Sequence, residues 1–148
     1  MTEVTQSETA IAEQLQIARS RLLDSFAEVE ESVICLQTKF GFKASLASLG
    51  QRLETLRKVK ASPQLSKATV TELQAHVERL AVLNELRADV VHARMYVAPI
   101  AGETRAFFVN SIECAAEFPI ARLLKFDQFA KLNKELHELA TALAKLAA

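Results

Sequence analysis

Apolar side chains recur at Ile11, Leu15, Ala18, Leu22, Phe26, Val29, Val33, Leu36 and Phe40, always three or four positions apart. At roughly 100° per residue these positions form a stripe along one side of a helix of about nine turns. Glu13, Glu28, Glu31 and Lys39 fall on the opposite, water-facing side. Residues 1–8 are mostly polar and are expected to fray. Gly41 should end the helix, because glycine takes the left-handed position after a helix without strain, and Phe42 should fold back onto the last turn.

A shorter second helix is expected next. Ser48-Leu-Gly-Gln51 has the spacing of a capping box, although Ser45 is an alternative start. Leu46, Leu49, Leu53 and Leu56 supply its buried face. Its basic end, Arg57-Lys-Val-Lys60, suits the negative pole of a helix, or alternatively faces a phosphate. Pro63 breaks the chain into a loop over residues 61–67. Thr69-Val-Thr-Glu72 is a second capping-box pattern and predicts the start of a third helix. Its stripe is Leu73, Val77, Leu80, Leu83, Val90 and Val91, and it should end before Pro99.

Residues 98–126 depart from helical spacing. Arg105-Ala-Phe-Phe-Val109 is aromatic and β-branched, as strands are, with Ala121-Arg-Leu-Leu-Lys-Phe126 as its possible partner. A small two-stranded ribbon, an irregular excursion, or a short helix over residues 112–117 are the alternatives. Asp127 is then the expected N-cap of a last helix striped by Phe129, Leu132, Leu136, Leu139, Leu143 and Ala147. The predicted fold is all-α: one domain over residues 1–148, an up-and-down-like bundle of four helices with a small irregular or two-stranded segment between the third and fourth.

Composition supports a folded helical chain. Half of the 148 residues are hydrophobic and only six are Gly or Pro, so disorder is disfavoured. A chain of this length can bury a core without disulfides or metal. Lys+Arg and Asp+Glu each number 18, a balance that excludes a protein gripping duplex nucleic acid by overall charge. Any RNA contact must be local or assembled from several chains. Cys35 and Cys114 stand far apart in no ligand spacing, and read as reduced packing thiols. The first residues lack the pattern of a signal peptide, and no apolar run reaches membrane-spanning length. A cytoplasmic location, away from the membrane, is the expectation.

Candidate chemistry is concentrated in Leu86-Arg-Ala-Asp-Val-Val-His92. On a helical projection Arg87 lies near the centre of the third helix's stripe, where a guanidinium is costly unless it is paired or at an interface. Arg94 and His76 lie toward one edge of that stripe. His92, five residues on, points about 140° away from Arg87. The two converge only if the helix distorts or if a second subunit brings its own copy. Spacing alone decides nothing, since chance supplies such Arg–His pairs at a comparable rate. A structural account also exists, with Arg87 at a helix seam paired to a carboxylate or carbonyl. His76 and His137 stand alone on helices. No nucleophile elbow, phosphate loop or cluster at metal-ligand spacing is present.

The same stretch resembles the Arg-x4–6-His signature of the HEPN superfamily. The motif sits late in the third of four helices, ahead of an irregular segment and a final amphipathic helix. Ser25-Phe-Ala-Glu-Val-Glu30 and Leu49-Gly-Gln-Arg-Leu53 are similar to that superfamily as well. The resemblance implies metal-independent endoribonuclease activity, as a toxin or antiphage component, in a cleft between two copies of the chain. Arg87 and His92 would be the catalytic pair, Asp89, Arg94 and Tyr96 would lie against RNA, and no cofactor or metal is implied. Imidazole titrates near neutrality and can take the proton of a ribose 2′-hydroxyl, while guanidinium presents a planar fork to a phosphate gaining charge. Ala88 replaces the polar residue that often follows the Arg. Arg94 stands where toxins controlled by a nucleotidyltransferase antitoxin often carry Tyr, with Tyr96 two places further on. Partners implied are a second copy, RNA, and an antitoxin or other protein. The superfamily also contains members that have lost cleavage. A non-catalytic dimerisation or partner-binding bundle is therefore the competing expectation, and an enclosed nucleotide pocket lined by Arg87 and Arg94 is a third.

Overall fold

A computed structural model describes residues 6–43, 46–109 and 120–148. The order of elements is α1 (Gln6–Lys39), α2 (Leu49–Arg57), α3 (Lys67–His92), β1 (Arg94–Ile100), β2 (Glu103–Val109), β3 (Ile120–Lys125) and α4 (Phe126–Ala147). The chain is thus mostly helical, with an antiparallel sheet of three strands between α3 and α4. Two compact units are distinguished, Met1–Asp24 with Leu86–Lys134, and Ser25–Glu85 with Glu135–Ala148. The alternatives of Ser45 as a helix start and of a helix over residues 112–117 fall outside the described residues, as does Cys114.

The second unit is helical, and most of its anticipated stripes are buried. Phe26, Val29, Val33 and Leu36 of α1, Leu49, Leu53 and Leu56 of α2, Leu73, Val77, Leu80 and Leu83 of α3, and Leu136, Leu139, Ala140 and Leu143 of α4 form its apolar interior. Leu46 is an exception. It precedes α2 and is fully exposed, and Arg52 lies buried on that helix instead, its Nη1 donating to Gln37 Oε1 at 3.0 Å. The Ser48 capping box closes in both directions, the Ser48 amide donating to Gln51 Oε1 at 2.9 Å and the Gln51 amide to Ser48 Oγ at 3.3 Å.

Helix ends in this unit are satisfied in two ways. At the end of α1, Gly41 has φ +79°, its amide donates to Thr38 O and the Phe42 amide donates to Gln37 O, the paired bonds of a Schellman motif. The carbonyls ending α2 instead receive a side chain from α3, with Gln74 Nε2 donating to Leu56 O at 3.2 Å and Arg57 O at 3.3 Å. Lys39 Nζ likewise donates to Leu146 O at 2.7 Å, at the end of α4. The start of α3 lies a turn earlier than the Thr69 pattern implied. Ser66 Oγ accepts the Thr69 amide at 3.1 Å, because nothing after Pro63 prevents the helix from beginning at Lys67. Arg57, expected on a basic helix end, binds Glu54 and Glu78, and Cys35 is exposed rather than packed.

In the first unit, α3 ends at His92, before Pro99 as expected, and Arg94–Ile100 is a strand that the helical projection did not separate from α3. The sheet is a meander, with β1 pairing β2 from Arg94↔Val109 to Ile100↔Glu103 and β2 pairing β3 from Arg105↔Lys125. The expected pairing of residues 105–109 with 121–126 is present as β2 and β3, and β1, which begins at Arg94, adds a third strand. Ala101 and Gly102, with φ +52° and +78°, make the two-residue turn between β1 and β2. In such a hairpin Ile100 and Glu103 exchange hydrogen bonds, so the nitrogen of Pro99 faces the open edge, where a missing donor breaks no ladder bond. A bulge between Phe108 and Val109 shifts the register toward β3. Asp127 is not the N-cap of α4. The helix begins at Phe126, and the Lys125 amide donates to Gln128 Oε1 at 2.7 Å, so Asp127 sits inside the first turn, where a negative charge is favoured.

Alternation along the strands separates two faces. Met95, Ala106, Phe108 and Leu124 are buried with Leu15, Ala18 and Leu22 of α1, Leu86 and Val90 of α3, and Phe129 of α4. The Phe108 and Phe129 rings are tilted at 56° with centroids 6.5 Å apart. The other face carries Arg94, Tyr96, Phe107 and Leu123 and is partly open to solvent.

Candidate functional site at the junction of the third helix and first strand

The stretch from Arg87 to Tyr96 spans the last turns of α3 and the start of β1, all within the first unit. Burial shifts its stripe by one residue relative to the projection. Leu86, Val90 and Ala93 are buried and Val91 is exposed, because Leu86 takes the interior position that an unbroken four-residue step would have assigned to Arg87. Arg87 is therefore half-buried at the flank of the stripe, and it is engaged with another group. His92 is exposed on the last helical position. The helix is regular through both residues, so their side chains diverge by about 140° within one chain.

Asp89 is half-buried and committed. Its Oδ2 accepts from Arg122 Nε at 3.1 Å and Nη2 at 3.0 Å, an ion pair that joins α3 to β3. This arrangement leaves the carboxylate neutralised inside a junction that also holds Arg87 and Arg94. On β1, Arg94 and Tyr96 share the outer face of the sheet. The Arg94 guanidinium lies 5.3 Å from the Tyr96 ring centroid, and Tyr96 stacks on Phe107 across the ladder with centroids 5.3 Å apart and planes 16° from parallel. Arg94 and Tyr96 are exposed, not enclosed in a pocket. Among the described residues no group of three His, Cys, Asp or Glu is arranged to hold a metal ion.

Arg19 is the organising residue that the sequence did not disclose. From α1 its Nε and Nη2 donate to Val90 O at 3.1 and 2.7 Å, and Nη2 also donates to Ala93 O at 3.1 Å. Its guanidinium sits 5.8 Å from the Phe108 centroid. The carbonyls on either side of His92 are thereby fixed, and a cation offsets the negative pole of α3. Arg122 was equally hidden, since its partner is 33 positions away in the chain. The only signal for either was an arginine next to apolar positions in an amphipathic element. His76 and His137 lie elsewhere, in the second unit. His76 Nε2 is 3.6 Å from Glu72 Oε1, beyond hydrogen-bond reach, and His137 Nδ1 is 3.3 Å from Glu28 Oε1.

No protein-family model matches the chain, and no curated protein or solved structure is significantly similar to it. Among the described residues, no helix is long and apolar enough to cross a membrane.

Proposed function

We propose that this protein is a HEPN-like, metal-independent endoribonuclease, a toxin or antiphage component of the cytoplasm built as an up-and-down-like bundle and acting as a pair of identical chains. The observation that carries the reading is the charge at the α3–β1 junction. Asp89 is neutralised by Arg122, and Arg87, Arg94 and an exposed His92 lie in the same short stretch of chain, so the place suits a phosphodiester and not a cation. In the reaction, His92 takes the proton of a ribose 2′-hydroxyl and the resulting oxygen attacks the adjacent phosphorus. Arg87 binds the non-bridging oxygens as charge gathers on them. The bond from phosphorus to the 5′-oxygen breaks, the departing 5′-oxygen takes a proton from water, and a 2′,3′-cyclic phosphate remains.

Because Arg87 and His92 diverge on one regular helix, each site takes Arg87 from one copy and His92 from the other. Purified protein should cleave single-stranded RNA in excess chelator, and His92→Ala should abolish cleavage with the fold intact. Mixing His92→Ala with Arg87→Ala chains should restore activity, since the mixed pair contains one complete site. Absence of cleavage across a transcript pool, or an active His92→Ala variant, refutes the proposal.

One observation favours a non-catalytic dimerisation or partner-binding module instead: Arg87 is half-buried and already engaged. On that reading Arg87→Ala destabilises the fold by about 3 kcal/mol, as loss of a buried partner does, and His92→Ala is silent in every assay.

A further inference from the structure

The outer face of the sheet is only partly covered, with Tyr96 and Leu123 exposed and Arg105 and Phe107 half-buried. Tyr96 of β1, Phe107 of β2 and Leu123 of β3 stand in one row, since Tyr96↔Phe107 and Phe107↔Leu123 are register partners. Tyr96 is 39% and Leu123 38% exposed and Phe107 is half-buried, whereas Met95, Ala106, Phe108 and Leu124 on the opposite face are buried. Open faces of antiparallel sheets are ordinarily polar, so an apolar row across every strand is an interaction surface. With strands about 4.8 Å apart the row spans about 10 Å, room for two or three bases.

The charges flanking the row select the occupant. Arg94, Arg105 and Lys125 belong to the same face, Arg105 half-buried, against one carboxylate among the described residues, Glu103. Glu103 lies 2.7 Å from Lys125 Nζ and 3.5 Å from Arg105 Nη2, and Lys125 holds its carboxyl below the usual carboxylate range. In a chain whose formal charge is zero this is a local excess of cations. Tyr96 and Phe107 stack on one another with Arg94 over the Tyr96 ring, and a base with an uncovered π-face can extend such a stack at its ends. Paired bases hide those faces, and so few cations are too weak for a duplex held by its backbone.

We infer that this outer sheet face is a platform for single-stranded RNA, with Tyr96, Phe107 and Leu123 beneath the bases and Arg94, Arg105 and Lys125 along the phosphates. The inference rests on the RNA-directed reading for its ligand and adds the strand's path, which runs from the α3–β1 junction onto the sheet. The test uses the full chain carrying His92→Ala, so that bound RNA stays intact, with a fluorescently labelled unstructured oligoribonucleotide read by anisotropy. The single strand should bind and its annealed duplex should bind far less. Tyr96→Ala should weaken binding about tenfold, the loss of one stacked base, and Tyr96→Phe should restore it. Leu123→Glu, at an exposed position, is the second variant should Tyr96→Ala fail to fold, and is expected to weaken binding at least as much. Arg94→Gln should flatten the dependence of affinity on salt by about 0.7 logarithmic units per decade, one phosphate contact of a single strand. Equal binding of duplex, unchanged affinity in both Tyr96→Ala and Leu123→Glu, or variants that alter only self-association or protein binding would overturn the platform. Cleavage by wild type that survives both variants overturns the platform alone, and binding without cleavage overturns the nuclease alone.

Discussion

The ends of α1 and α3 solve the same problem differently. A helix leaves its last carbonyls without partners. At α1 the chain satisfies them itself, with Gly41 turning left-handed so that two following amides reach back to Thr38 and Gln37. At α3 no residue of that kind follows, and a cation arrives from α1 to bind Val90 O and Ala93 O. A locally closed end is autonomous. An end closed from afar exists only when distant elements have assembled, and its geometry can be disturbed from a distance.

The strongest way to break this contrast is Arg19→Ala. It should cost about 2–3 kcal/mol, because charge-assisted bonds to part-buried carbonyls are lost together. Denaturant titration measures the loss, and amide exchange at Val91–Ala93 should rise well before global unfolding. If exchange there stays at the global rate, Arg19 does not hold this end. Gly41→Ala should cost less, about 1 kcal/mol. Nothing lies within 4 Å of the added Cβ, so only the strain of a left-handed alanine is felt. Its effect should stay confined to the α1 end.

The smallest effect concerns a pairing between side chains. Glu135 binds Arg79, which holds its carboxyl below the usual range. A depressed folded-state pKa contributes stability that is present above the unfolded value and lost as pH falls through the folded one. Glu135→Gln should therefore lower stability slightly at neutral pH and by nothing at strongly acidic pH. Denaturation midpoints for the two proteins should converge as pH is lowered below the ordinary carboxylate range.

The same contrast explains which features could be read from the chain. The capping box of α2 and the Gly41 turn depend on residues three to five positions apart, and both are present as anticipated. The apolar stripe of α1 is visible because eleven residues from Leu15 to Ser25 already show its period, and its burial follows. The ends of α2, α3 and α4 depend on Gln74, Arg19 and Lys39, whose partners lie 18, 71 and 107 positions away. No local pattern encodes those distances. The strand that begins at Arg94 escaped the pattern for this reason: Met95, Val97 and Ile100 prolong an apolar pattern, and the cap that stops the helix comes from another element. Thr69 and Ser66 offered similar capping chemistry one turn apart, and the outcome depended on how soon the chain could wind after Pro63. Within the site, Arg87, Asp89 and His92 stood out by residue type, but the commitment of Asp89 to Arg122 is a property of the folded sheet.

Pro99 has one more implication. On the outer rim of β1 it removes a main-chain donor at the point where a foreign strand would dock. Cross-β growth from that side is thereby discouraged, although the neighbouring strands are rich in aromatic and branched side chains. A sticky ribbon can in this way persist without seeding fibres through it.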